Sequence, residues 1–148
     1  MKNELGASPI EFALGTMLIL FPTAMLALAL GPWMEHRLFV RTAAGEAARL
    51  LVLDVSPEPE LAALDMVARL AVNLGIDPSR VRVGFCGGAP ASLTSSPSGR
   101  CSPLGRGDVA EVTVEVDVPP IVTPLADVGG WPVAASHVEA VDLYRSRP

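Results

Sequence analysis

The chain is poor in the residues that build most catalytic and metal sites. Among 148 residues it has two Cys, two His, one Tyr and two Trp, and aromatics make up only 5%. Two Cys and two His leave little room for a structural metal centre. A single Lys stands against ten Arg, and no two Arg are adjacent. A polybasic lipid-binding patch is therefore absent. The formal net charge of -5 and a pI of about 4.9 argue against nucleic acid as a partner. There is no Gly-x-Ser-x-Gly elbow, no phosphate-binding Gly-rich loop ending in Lys-Ser or Lys-Thr, and no His-Glu-x-x-His pair. The stretch Gly84-Phe85-Cys86-Gly87-Gly88 is rich in glycine, but no Lys or helix follows it. These absences point away from an enzyme, and no catalytic residue, metal or cofactor is expected.

What the chain does have is a long apolar run. Half of its residues are hydrophobic and mean hydropathy is +0.42. The excess sits in residues 12–34, which carry no charge. As a helix rising about 1.5 Å per residue they would span about 34 Å, enough for a bilayer core. A secretory signal would have a shorter apolar region followed by a small-residue cleavage site. Here the run ends in Gly31-Pro32-Trp33-Met34-Glu35-His36-Arg37, so a membrane anchor is the better reading. Small residues (Gly15, Ala24, Ala27, Ala29, Gly31) recur in it and permit close helix packing in lipid. Pro22 removes one backbone donor and is expected to loosen the helix locally.

The start of the chain carries the sharpest motif. Gly6-Ala7-Ser8-Pro9-Ile10-Glu11-Phe12 resembles a type IV prepilin cleavage site: a Gly, four residues, a Glu, then an apolar helix. With the helical continuation and a β-rich remainder, the chain resembles the TadE-like minor pilins of tight-adherence (Flp) pilus systems, most specifically over residues 1–55. The resemblance implies cleavage between Gly6 and Ala7 by a prepilin peptidase, and an assembly role for Glu11 and Phe12. It also implies other pilins and membrane lipids as partners, and a part in cell adhesion. The physics of Glu11 fits the pattern. A carboxylate inside a membrane helix costs about 2.5–3.5 kcal/mol on insertion scales and usually has a partner. The freed amino group of Ala7 would serve. The plainer alternative puts Glu11 at the headgroup level, where a negative charge suits the start of a helix.

Beyond the membrane the helix is expected to continue over residues 35–53. Val40, Ala43, Ala44, Ala47, Leu50 and Leu51 fall on one side, with Arg37, Arg41, Glu46 and Arg49 on the other. The stripe packs either on the chain's own domain or on a partner helix. Ser56-Pro57-Glu58-Pro59-Glu60 breaks this helix and opens a second over 58–74, with Glu58 and Glu60 complementing its dipole. Its apolar positions read as Leu61, Leu64, Val67, Ala68, Ala71 and Leu74, and Gly75 caps it.

The period then changes to two. One strand is expected over 80–85, with Arg80 and Arg82 outward. A second covers 109–118, with Val112, Val114, Val116 and Val118 inward and Glu111, Thr113, Glu115 and Asp117 outward. Arg80 and Arg82 complement those carboxylates across the strands. The carboxylate row could mimic a metal cluster, but its spacing reads as a solvated strand face. A third strand is expected over 137–144, after a loop over 121–132. Residues 87–107, rich in Gly, Ser and Pro, have no apolar period. Cys86 and Cys101 would close a loop there. A disulfide removes about 3 kcal/mol of unfolded-state entropy on the chain-entropy model and implies an oxidising compartment. The alternative is two buried thiols, which the polar surroundings of Cys101 disfavour. A Cys86–His137 thiol–imidazole pair is conceivable, but nothing in the sequence brings the two together.

The expectation is an α+β chain. Residues 1–6 form a cleaved leader, 7–34 a transmembrane helix, and 35–148 an extracytoplasmic domain with a second helix, a small antiparallel sheet and a disulfide-closed loop. The positive-inside rule taken alone would favour a cytoplasmic domain. The cysteine pair and the leader motif point the other way. A signal-anchored module that binds a surface ligand through the cysteine-closed loop is the rival reading.

Overall fold

The computed structural model describes residues 9–53, 57–101, 103–122, 127–128 and 130–142. The chain is α+β. Helix α1 (Pro9–Leu53) is followed by α2 (Pro59–Asn73), a 3-10 turn (Pro78–Arg80) and six strands: β1 (Val81–Phe85), β2 (Ala91–Ser92), β3 (Val109–Asp117), β4 (Ile121–Val122), β5 (Asp127–Val128) and β6 (Pro132–Ala140). Strands β2, β1, β3 and β6 form an antiparallel sheet in that order, and β4 with β5 makes a separate two-stranded ladder.

Helix α1 is one uninterrupted element with two different halves. None of the described side chains of residues 9–38 is buried. From Phe39 the i, i+3, i+4 spacing brings Phe39, Val40, Ala43, Ala44, Ala47, Ala48 and Leu51 into the core. Arg37, Arg41, Glu46 and Arg49 stay exposed. The stripe thus packs on the chain's own domain, chiefly on β6 and β3. Leu50, expected within it, is half-buried. The helix continues through Pro22 and Pro32. The Thr23 hydroxyl donates to the carbonyls of Ile19 (2.9 Å) and Leu20 (3.0 Å), on the turn that the Pro22 ring faces. Side-chain donors of this kind help an apolar helix tolerate proline.

Helix α2 buries Leu64, Val67 and Ala71 as expected, with Ala68 half-buried, but the edges of its inward face differ. Glu60, Ala63, Leu64, Val67 and Ala71 point inward, whereas Leu61 and Leu74 are exposed. Glu60 occupies an interior position, where the backbone N–H of Cys101 donates to its Oε1 at 2.9 Å. The helix ends as expected near Gly75, which has φ of +70°. The N–H of Ile76 bonds the Ala71 carbonyl (2.9 Å) and that of Gly75 the Val72 carbonyl (3.1 Å), the paired bonds of a Schellman cap.

The strand pattern holds best where alternation was strongest. On β3, Ala110, Val112, Val114 and Val116 are fully buried, and Arg82 on β1 bonds both Glu115 and Asp117 across the sheet. Three boundaries differ from expectation. Arg80 lies in the 3-10 turn, near Asp77 (3.9 Å), and takes no part in the strand. The third strand is β6, beginning at Pro132 opposite Asp117 and ending at Ala140, so it overlaps the expected 137–144 only at its last residues. A proline at the first residue of an edge strand removes no ladder bond that the sheet needs. Tyr144, the far end of the expected strand, lies outside the described residues. Within the two expected loops, β2 pairs with β1, and β4 pairs with β5.

Candidate functional site

Two regions concentrate the residues singled out by sequence. The first is the exposed half of α1. It contains a stretch long and apolar enough to cross a membrane, with none of that stretch buried in the chain. Glu11 is in its first turn, and Phe12 is exposed beside it. Gly6 and Ala7 lie outside the described residues. At the other end of the apolar run the Arg37 guanidinium sits 5.1 Å from the Trp33 ring centroid, a cation–π distance. His36 Nδ1 lies 2.6 Å from the Pro32 carbonyl. An aromatic beside a cation where an apolar helix ends is the chemistry of a membrane–water interface. Composition had marked this segment only as the end of the run.

The second region is the loop between β1 and β3. Cys86 and Cys101 are disulfide-bonded, with Cα atoms 5.4 Å apart, inside the ordinary range. Contrary to the expectation from its neighbours, Cys101 is buried, at 8% exposure. It belongs to the hydrophobic core, bonded to Cys86 and with its N–H donating to the Glu60 carboxylate. Cys86 has φ of +44° and Gly87 +81°, and the Gly88 N–H returns to the Phe85 carbonyl at 2.9 Å. This is a tight turn with both central residues in the left-handed region. The loop is further tied down where the Phe85 N–H bonds the Ser98 carbonyl at 2.9 Å. The backbones are so close that a Cβ on Gly99, whose φ is +84°, would lie 1.9 Å from the Phe85 carbonyl oxygen. A cleft of about 450 Å³ opens between this loop and the start of α2. It is lined by Pro57, Glu58, Leu61, Ser95, Pro97 and Arg100, among others.

On the outer sheet face, the Arg82 pairing places a cation against Glu115 and Asp117, and the Thr113 and Ser136 hydroxyls share a hydrogen bond of 2.8 Å. No group of three or more metal-ligating side chains is gathered among the described residues. With Cys86 in a disulfide, its thiol does not pair with His137, which instead approaches Glu139 at 3.3 Å. Below the sheet, Asp77 accepts from the Ser79 N–H at 2.9 Å. That hydrogen bond, more than the Ser79 hydroxyl or the charge of Arg80, holds the Asp77 carboxyl below its ordinary range.

Sequence reasoning missed Glu60 as the link between α2 and the loop. A Glu in the first turn reads as a dipole complement, and nothing local announces that a distant amide will bind it. Comparison with protein-family models, with curated proteins and with solved structures returns no match for this chain.

Proposed function

We propose that this chain is a structural, non-catalytic minor pilin of the TadE-like type, taking part in the assembly of a tight-adherence (Flp) pilus. The observation that carries the reading is the division of α1. One helix runs from an apolar, uncovered half directly into the core of a folded domain, which suits a subunit held by its helix and presenting its domain. The prepilin-like motif around Gly6, Ala7, Glu11 and Phe12 adds the processing and assembly roles. In this reading the helix sits once across the plasma (inner) membrane, and the disulfide-bearing domain lies on the extracytoplasmic side. Prepilin peptidase and other pilins are its partners, and the lipid bilayer is its surroundings.

Mass spectrometry of membrane-extracted protein from a host with a prepilin peptidase tests the reading. The expected mature chain starts at Ala7 and has lost residues 1–6. Retention of Met1, or a cut near Gly31, overturns it. A second arm uses Glu11→Ala. If the carboxylate pairs with the Ala7 amino group, membrane levels persist and recovery in sheared surface fibres is lost, because an unpaired charge in low dielectric is costly.

One observation favours the second reading, an anchored module that binds a surface ligand. The cleft beside the disulfide loop is large enough for a small polar ligand. An uncut leader together with a neutral Glu11→Ala would leave that reading in place.

A further inference from the structure

We infer that the domain has a second membrane contact: the end of it nearest the apolar half of α1, carrying Trp131, Val72 and Leu74, beds into the headgroup layer of the bilayer that α1 crosses. The inference rests on the reading of α1 as a membrane anchor and goes beyond it, because an anchor could equally carry the domain on a free stalk.

The first argument is distance. The uncharged run ends at Met34, and the first buried residue of the core is Phe39. Five residues of helix rise only about 7.5 Å. The polar layer on each side of a bilayer is about 5–7.5 Å thick. Trp33, still within the apolar run, already packs against the domain core. No free length of helix separates the domain from the membrane surface.

The second argument is which residues lie at that end. Helices α1 and α2 touch each other and are joined by a short connection over 54–58, so they form an antiparallel pair. Leu53 and Met66 border one groove between them. The start of α2 is therefore far from the membrane, and its end, with Val72 and Leu74, is near. Strand β1 begins seven residues after Leu74, hence at the near end. It finishes at Phe85 and Cys86, whose disulfide partner Cys101 binds Glu60 at the start of α2. That second tie fixes the direction of β1 independently. The register then places the rest. Val81 is opposite Val116, and Val116 is opposite Val133, so β6 starts at the near end and Trp131 precedes it. Helix α1 packs chiefly on β6, and the two are of matching length: α1 from Trp33 to Val52 rises about 28 Å and the nine residues of β6 extend about 30 Å.

The third argument is chemistry. Trp131 is 65% exposed, and Val72 and Leu74 are also exposed. Among the described charges near this end, Arg80 meets Asp77, Arg82 meets Asp117 and Arg37 stands over the Trp33 ring, with Glu35 two residues from Arg37. An exposed indole and exposed aliphatic side chains at one end, with cations and carboxylates there in similar number, fit the headgroup boundary of a zwitterionic bilayer, where Trp is enriched.

The full chain carries two tryptophans, one for each claim. It is reconstituted in phosphatidylcholine vesicles brominated high on the acyl chains, as Trp131→Phe (reporting Trp33) and as Trp33→Phe (reporting Trp131), with circular dichroism showing that each variant keeps its fold. The expected result is loss of fluorescence at both, of the same order, and unchanged in high salt. Quenching of Trp33 with Trp131 bright overturns the docked domain and leaves the anchor intact. A bright Trp33 overturns the anchor reading, and this inference with it. Quenching of Trp131 that needs anionic lipid or vanishes in salt overturns the apolar contact argued here.

Discussion

Replacing Glu60 by Ala tests whether one buried carboxylate holds the start of α2 to the disulfide loop. Glu60 is 5% exposed and accepts the Cys101 N–H at 2.9 Å. A hydrogen bond to a charged group contributes about 1.5–3 kcal/mol, and a buried N–H left without its acceptor costs a comparable amount. Ala is the better helix former, which returns a few tenths of a kcal/mol, roughly 0.3. The expected net loss is about 1–2.5 kcal/mol, or about 5–15 °C in Tm for a domain of this size. Glu60→Gln keeps an acceptor oxygen of the same reach and should lose less than half as much. Thermal unfolding of the full chain in detergent, followed by circular dichroism, supplies the stabilities. Amide exchange at Cys101 reports the bond itself. The two changes must move together. A Glu60→Ala protein within about 0.5 kcal/mol of the parent, with Cys101 amide protection unchanged, refutes the role assigned to this contact. Reduction of the disulfide should shrink the Glu60→Ala effect, because both ties hold the same residue and neighbouring ties are not additive.

Gly99→Ala should destabilise the loop strongly, since φ of +84° disfavours any side chain and a Cβ would meet the Phe85 carbonyl; amide exchange at Phe85, whose N–H bonds Ser98, is the direct readout. Non-reducing peptide mapping of protein exported by its host should recover Cys86 and Cys101 in one cross-linked pair, and alkylation of both without reduction would contradict the proposed oxidising location. Asp77 should titrate below its ordinary value of 3.8, as followed by carboxyl NMR. Its folded pKa is depressed, so its contribution to stability is present above the unfolded pKa and is lost as pH falls through the lowered folded value. Ser79→Ala should raise that midpoint only in part, because the Ser79 backbone N–H, the larger cause, remains.

The elements with strong periodicity were legible before any coordinates. From Val112 to Val116 the valines of β3 alternate and are all buried, and a period of two admits one face only. The stripe from Val40 to Leu51 likewise named the buried side of α1, because Ala and Val at helical spacing leave the arginines no inward position. Legibility failed where a long-range partner overrides a local preference. Leu61 outranks Glu60 as an inward residue on any hydrophobic count, yet a loop amide from 41 positions away makes the carboxylate the better fit. Cys101 reads as exposed among Ser, Pro and Gly for a similar reason, since its partners Cys86 and Glu60 lie 15 and 41 positions away. The start of β6 was hidden by Pro132 and Gly130, which read as loop residues until β3 supplies the register.

The division of α1 also limits how copies of this chain can meet. From Phe39 to Val52 the inward stripe is covered by the chain's own sheet, with Val40, Ala43, Ala44 and Ala47 at 0% exposure. That surface is not available to a partner without unfolding the domain. Opposite it lie Arg37, Arg41, Glu46 and Arg49, whose long charged side chains favour water over close packing. Under the proposed pilin reading, contacts between helices of neighbouring subunits would fall to residues 9–38, where every described side chain is at least partly uncovered and Gly15 and Gly31 have open space beside them. In lipid that segment has no hydrophobic drive to associate, so close backbone approach and polar groups must supply the attraction. Glu11 is the one ionisable side chain in the described helix before Glu35, so under the proposed pilin reading it is the polar group on this segment whose replacement tests the assembly role.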